Sequence, residues 1–326
     1  VASTSAPPRR PAPSRAEQPA RPSQRPRPRR LSGSPGRRTM AAWLTFASFV
    51  LPNLALIVAF TYVPLVQNIG FSTLDWPFGS DSATRIGLGN YVEFFTSESG
   101  QDVWRRTAIF TAATVGGSMV LGLTLALLLN SKVRGQGFFR ATVFAPYVLS
   151  GVGVGLVALF VFNPTYGLLA QVMRVLGFAS PQWILNPDLS LLMVIIVYVW
   201  KNAGYCALVY LAGLQGINQD VLDAAALDGA SPARGFFSIT LPLLSPTTFF
   251  LLVTTLLNSL QAFDLLRTIK PSGDGVNTLI FESYIQVFGG PGRAGYSAAI
   301  SVVLFVVLLV VTLAQLRFVE KKVHYS

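Results

Sequence analysis

Few side chains in this sequence could do chemistry, and their scarcity narrows the options. The chain holds one cysteine, Cys206, and one histidine, His324. One thiol cannot form an internal disulfide, and one imidazole cannot build a Cys/His metal site. No Gly-x-x-x-x-Gly-Lys-Ser/Thr loop, Gly-x-Ser-x-Gly elbow or His-Glu-x-x-His pair occurs. Phosphate-loop ATP binding, serine hydrolysis and zinc hydrolysis therefore lack their residues. What stands out is Lys201, a cation deep inside an apolar run. A lysine at the centre of a membrane helix costs roughly 2.5–3.5 kcal/mol on insertion, so its presence asks for a reason. Two reasons fit. Facing a transport pathway with Asn202 and Tyr205, Lys201 would attract a phosphate as a point charge. Turned to a neighbouring helix, it would pair with a carboxylate such as Asp264 or with backbone carbonyls. Asn258, Gln261 and Asp264 follow at threefold spacing, a polar stripe that would line an interior cavity. Cys206 reads as a small packing residue.

These residues need a scaffold, and composition names its class. The 326 residues are 52% hydrophobic and only 12% charged, with a mean hydropathy of +0.52. Soluble domains carry about 25% charged residues, so a soluble enzyme is disfavoured. Net charge is +11. That excess does not point to nucleic acid, because it gathers at one end. Residues 1–39 contain Arg9, Arg10, Arg15, Arg21, Arg25, Arg27, Arg29, Arg30, Arg37 and Arg38, many prolines and one acid, Glu17. Such a segment has little to bury and is expected to be disordered. It serves either as a tail against anionic lipid or as a solvated extension that holds the N-terminus inside.

A bilayer core needs about 20 apolar residues in a helix. Stretches at about 41–66, 107–130, 141–162, 189–213, 240–264 and 296–316 qualify, giving an all-α polytopic membrane domain over 40–326. Pro52, Pro64, Pro146 and the glycines at 116, 117, 151, 153 and 155 interrupt them, as membrane helices tolerate. Gly151-x-x-x-Gly155 permits close helix contact. Trp43, Trp76, Trp104 and Trp183 sit near span ends, as an interfacial belt would, whereas Trp200 lies beside Lys201 in mid-span. Lys/Arg asymmetry sets orientation. The Arg-rich tail, the short loop with Lys132, Arg134 and Arg140, and the C-terminal Arg317, Lys321 and Lys322 are expected inside. The loop 67–106, with Asp75, Asp81, Glu93, Glu98 and Asp102, is expected outside. Both termini are then cytoplasmic.

The segment 214–242 is the most informative. Asn218 can cap a helix over Gln219 to Asp228, with Asp220 near its positive end. Gly229 suits the left-handed stop after a helix. Ser231 can cap a second helix with Pro232 at its first position. The expectation is a short helix, a sharp turn and a second short helix on the cytoplasmic side. Leu222, Ala225, Ala226 and Leu227 give the first a low-relief apolar surface suited to a groove on a soluble partner.

Asp223-Ala224-Ala225, then Gly229, then Ile239, Leu241 and Pro242 match the "EAA" loop of permease subunits of binding-protein-dependent ATP-binding-cassette (ABC) importers. The chain resembles that family, with Asp223 where the motif usually has glutamate. The resemblance implies an ABC type-1 permease fold, with its core at about 104–317. It implies that Asp223, Ala224, Ala225, Asp228, Gly229, Ala230, Ile239, Leu241 and Pro242 couple to an ATPase. Gly87-Leu88-Gly89-Asn90-Tyr91 looks like a segment of sugar-type permeases. Val199–Asn202, Leu208–Gln215 and Arg317–Tyr325 most resemble the first permease of Ugp-type importers of sn-glycerol-3-phosphate and glycerophosphodiesters. Lys270–Gly275 departs from the Thr-x-Gly-Gly-Pro of related permeases, which leaves a sugar or oligosaccharide as the alternative substrate. The implied partners are a second homologous permease, two ATPase subunits carrying ATP and Mg, an extracytoplasmic binding protein and the bilayer, with no nucleic acid. The chain itself would bind no cofactor and be no enzyme. A stand-alone secondary transporter would favour internal repeats and mid-membrane carboxylates, and a membrane enzyme would favour clustered Asp, Glu or His; neither pattern is present.

Overall fold

The computed structural model describes residues 35–131, 135–315 and 317. The tail before residue 35, Lys132 and Arg134, and the C-terminal Lys321, Lys322 and His324 lie outside the described residues. Two units divide the chain, one up to Val58 and one from Ala59. The first contributes α1 (Pro35–Ile57), which contains Pro52. The second holds most of a π-helical turn (Val58–Tyr62) and α2 (Val63–Phe71), with Pro64 directly after that turn, where the π bulge relieves the crowding and the lost hydrogen bond of a proline in a continuing helix.

A two-stranded antiparallel hairpin follows, β1 (Leu74–Asp75) and β2 (Thr84–Arg85). Then comes α3 (Gly89–Thr96). Asn90 donates to the carbonyls of Ser72 and Leu74 at 2.9 Å, and the Tyr91 hydroxyl meets that of Ser72 at 2.6 Å. The Gly-Leu-x-Asn-Tyr segment therefore ties α3 back to the end of α2. Gly87 permits it by holding φ at +60°.

Two long helices form the centre. In α4 (Glu98–Leu129), Ser97 caps the first turn through Gly100 N, and Glu98 sits at the positive end. In α8 (Pro187–Gln215), Asn186 caps Asp188 and Leu189 ahead of a proline start. Small residues let them touch: a methyl on Gly122 would overlap Cys206, and one on Gly117 would press on Val199. Cys206 is free and buried in this seam, as its packing role requires. Near one end of the seam, Ala126, Tyr210, Leu211, Leu244 and Leu251 form a buried cluster. Another cluster gathers Phe110, Met193, Val197, Leu266, Val276 and Phe281.

Two expected spans are not single helices. The third divides into α5 (Gln136–Val148) and α6 (Gly151–Val161), bent by 98°. Leu149 and Ser150 are extended, and Ser150 caps a new helix through Gly153 N. After α6 comes α7 (Leu168–Val175). The fifth starts earlier than 240 and also bends. Beyond the α9 helix (Gln219–Leu227) it runs through α10 (Pro232–Gly235), a π-helical turn at Phe236–Thr240, α11 (Leu241–Leu243) and α12 (Ser245–Leu260), turning by 65°. Pro242 cannot donate to the helical ladder and crowds the preceding turn, which the π bulge relieves. This helix ends at Leu260, four residues before the expected end. Asp264 opens a separate helix, α13 (Asp264–Ile269). That helix lies on α6, against Gly151 and Gly155: a Cβ at Gly155 would meet Thr268. The chain closes with α14 (Leu279–Phe288) and α15 (Ala294–Ala314), joined by hydroxyl contacts of Ser283 with Ser297 and Ser301 at 3.0 and 2.7 Å.

By length and composition, Ala42–Phe71, Glu98–Leu129, Pro187–Gln215 and Ala294–Ala314 can each cross a membrane. The described residues thus hold four such stretches, or up to six if each bent pair is one span.

Candidate functional site

The loop between α8 and α12 folds as its residues dictate. Asn218 Oδ1 accepts from Asp220 N at 3.0 Å, which opens α9. Gly229 has φ of +80°, and Ala230 N donates to Ala225 O at 3.1 Å, closing the helix by reaching back across the left-handed residue. Ser231 accepts from Arg234 N and Pro232 starts α10. Between the two helices lies a cleft of about 390 Å³, lined by Val221, Ala224, Ala225, Asp228, Ala230, Arg234, Ser238 and Ile239.

Five of the expected coupling residues meet in this cleft: Ala224, Ala225, Asp228, Ala230 and Ile239. Asp223 does not; it is exposed and accepts from Gln219 Nε2 at 3.1 Å. Gly229 makes the turn, while Leu241 and Pro242 lie past the cleft, on α11. Leu227 is 89% exposed and Phe237 66%, so the loop presents apolar side chains at its surface. Val221, Arg234 and Ser238 complete the lining; the period of α9 places Val221 one turn before Ala224 and Ala225.

Around Lys201 the geometry is equally specific. Its Nζ donates to Tyr147 O at 2.8 Å and lies 5.2 Å from the Tyr147 ring. That carbonyl belongs to the last turn of α5, whose partner in the next turn is removed by the break at Leu149 and Ser150. The cation also sits favourably at a helix C-terminus. Tyr147 stacks on Tyr205 at 4.9 Å, and Tyr205 Oη approaches Thr254 Oγ1 at 3.5 Å. Asn202 is buried and donates to Tyr198 O, one turn earlier on its own helix. Tyr198 in turn donates to Asn258 O at 2.9 Å. Among the described residues no carboxylate lies within ion-pair distance of Lys201. Asn258, Gln261 and Asp264 are all exposed, but they do not form one helical stripe, since the helix stops between Asn258 and Gln261. Trp200 borders an apolar crevice of about 240 Å³ between α6 and α8.

The loop charges, read only as a tally in the sequence, form defined contacts. Arg293 grips both oxygens of Glu93 at 2.6 and 2.5 Å and lies 4.2 Å over the Tyr296 ring. The guanidinium holds the Glu93 carboxyl below its ordinary range, and Glu93 raises Arg293 in return. Arg106 bridges Asp102 and Asn277, and Asn277 passes to the buried Glu282 at 2.8 Å.

This helical scaffold, with its bent spans and two-helix loop, is that of an ABC importer permease. Residues 118–325 match the family model "Binding-protein-dependent transport system inner membrane component". The chain belongs to that family and is a multi-pass inner-membrane protein. It is 36% identical over 282 residues to the sn-glycerol-3-phosphate transport system permease protein UgpA of Agrobacterium fabrum, covering 85% of this chain and 95% of the relative. To the UgpA of Yersinia pestis bv. Antiqua it is 35% identical over 292 residues, covering 87% and 97%. Among solved structures, a bacterial ABC transporter involved in the import of the acidic polysaccharide alginate superposes with a TM-score of 0.74 at 23% identity, covering 88% of this chain and 98% of that one. That likeness concerns the fold. The relatives named are transport permeases, and the chain is a transport subunit of the same class.

Proposed function

We propose that this permease imports sn-glycerol-3-phosphate or glycerophosphodiesters such as glycerophosphocholine. The observation that carries the reading is the similarity to UgpA permeases along nearly the whole chain, at 36% identity over 282 residues. In this reading six spans cross the membrane, with both bent pairs counted as spans and both termini cytoplasmic. The core covers about 104–317, and 214–242 is the coupling segment. A second, homologous permease completes the translocation path. Two ATPase subunits dock on the coupling loops, and an extracytoplasmic binding protein delivers the solute. ATP and Mg on those ATPases supply the drive; this chain binds neither.

The cleft between α9 and α10 supports the coupling role. Its low-relief alanines and its exposed Leu227 and Phe237 suit a groove on a soluble partner. Closure of the ATPases would draw paired loops together, and the bent helix leading from α10 into α12 would carry that movement into the membrane. Lys201 supports anion passage: it is half-buried, has no carboxylate partner among the described residues, and keeps donors beyond the one given to Tyr147 O.

The test is purification of tagged chain in mild detergent, with partners identified by mass and the co-purified binding protein titrated with glycerophosphodiesters and sugars. Recovery of an ATPase, a second permease and a binding protein that takes glycerophosphodiesters is the expected result. A binding protein that takes only oligosaccharides would replace the substrate class. A chain that is isolated alone and transports without ATP would end the importer reading.

A further inference from the structure

Most cations on the described loops already have a partner. Arg105 and Arg106 share Asp102, Arg293 holds Glu93, Arg174 donates to Thr165 O and Lys270 to Ile184 O. Arg267 is different. It lies on α13, beyond α12. Since α12 is 16 residues long, it places α13 about 24 Å from the coupling-loop end of that helix. The Arg267 guanidinium is 4.7 Å over the Tyr284 ring and 5.9 Å from Phe263. Those rings belong to a ladder: Phe263 meets Phe281 at 5.8 Å and Tyr284 at 5.0 Å, Tyr284 meets Phe288 at 5.1 Å, and Phe288 meets Phe78 at 5.4 Å. Among the described residues the guanidinium has no carboxylate or carbonyl partner. Asp264, one turn earlier on the same helix, is exposed and makes no ion pair with it. Arg85 is exposed too, but no ring holds it.

An arginine fixed through its flat face keeps its edge N–H groups free. A planar fork with fixed direction is what bidentate binding of a phosphate needs. The rings also lower the entropy lost on binding, because the side chain is already ordered. We propose that Arg267 is a specificity-determining residue that binds a phosphate group at the mouth of the permease opposite the coupling loop. As an assignment to the transported solute, this rests on the reading of the preceding subsection; the phosphate could also come from a phospholipid headgroup.

Two measurements on the full importer complex separate these cases. The first is phenylglyoxal modification of arginines, read peptide by peptide by mass spectrometry, with exposed Arg105 as internal reference. In detergent, millimolar inorganic phosphate or sn-glycerol-3-phosphate should slow modification of Arg267 several-fold more than that of Arg105. Equal slowing at both overturns the proposal. Protection of Arg267 in phosphatidylcholine vesicles without added solute, and none by added phosphate in detergent, assigns the headgroup and overturns the solute role. The second is uptake of labelled sn-glycerol-3-phosphate into proteoliposomes. Arg267→Gln should raise KM about tenfold, the loss expected for charge-assisted hydrogen bonds, with kcat little changed. Arg267→Lys, which keeps the charge but not the fork, should fall between. Unchanged KM in both variants overturns the solute role. If wild-type liposomes take up no glycerol-3-phosphate, the substrate reading fails, while the labelling result still decides whether Arg267 binds phosphate.

Discussion

Lys201 shows how a residue is pinned by its surroundings without being used up by them. One donor goes to Tyr147 O and the ring of Tyr147 lies beside the ammonium. If its role were only to lock α8 to α5, a polar but neutral side chain that reached the same carbonyl would serve as well. Lys201→Gln and Lys201→Met should therefore both lower uptake of an anionic solute several-fold while the chain still inserts and co-purifies with its partners. Uptake that survives in Gln but not in Met would assign Lys201 to packing. Glu93 gives a residue-scale prediction of a different kind. Its folded carboxyl titrates below its ordinary value of 4.5 because Arg293 grips it. The stability from this pair is fully present above pH 4.5 and is lost as pH falls through the lowered folded value. Both partners are more than a third exposed, so the contribution is about 1 kcal/mol or less. Glu93→Gln should lower the thermal midpoint in detergent slightly at pH 7, and the difference should shrink as pH falls below 4.5; a loss that stays the same across that range would show that the ion pair is not the cause.

At the scale of elements, the α9–α10 turn depends on Gly229. No heavy atom would crowd a Cβ there, so a substitution is penalised by the backbone alone, by about 1–2 kcal/mol for a left-handed L residue. Gly229→Val should keep the chain in the membrane and abolish ATP-driven uptake, with Gly229→Ala intermediate. Normal uptake by the valine variant would detach this turn from coupling. The turn was legible in the sequence because its signals are local: Asn218, Gly229, Ser231 and Pro232 each act within one helical turn. The bends at Leu149 and Leu244 were not. Apolar length registers how much chain can sit in a membrane, not its direction, so 141–162 and 240–264 read as single spans, with Pro146 and the glycines marked only as tolerated interruptions. The stripe of Asn258, Gln261 and Asp264 failed for the same reason, since it assumed a helix that stops at Leu260. The grip of Arg293 on Glu93 joins residues 200 positions apart, beyond the reach of any periodic pattern. The Gly-Leu-x-Asn-Tyr segment was visible as a motif, yet its work in tying α3 to Ser72 and Leu74 required the fold.

For the whole molecule, the path through the bilayer is set by four long stretches and two bent pairs. From the Lys/Arg distribution we propose that both termini lie in the cytoplasm. Reporter fusions at each end should be active only when the reporter needs the cytoplasm, and a reporter inserted after Ser80 should behave oppositely. Termini on opposite sides would mean that one bent pair re-enters rather than spans. The class of the molecule was legible early, because an EAA-like loop motif and a run of apolar stretches are carried by contiguous sequence. The ring-held Arg267 was not, since its setting draws on α13, α14 and the early hairpin loop.

The buried position of Cys206 has a practical consequence. This chain carries a single thiol, and it sits in the seam where α4 meets α8. A maleimide dye added to the unaltered protein would stay unreacted while the two helices remain together and would report the moment they part. The molecule therefore contains its own unfolding reporter. Replacing that one residue with serine would yield a silent background, on which a cysteine placed anywhere else could be followed without interference.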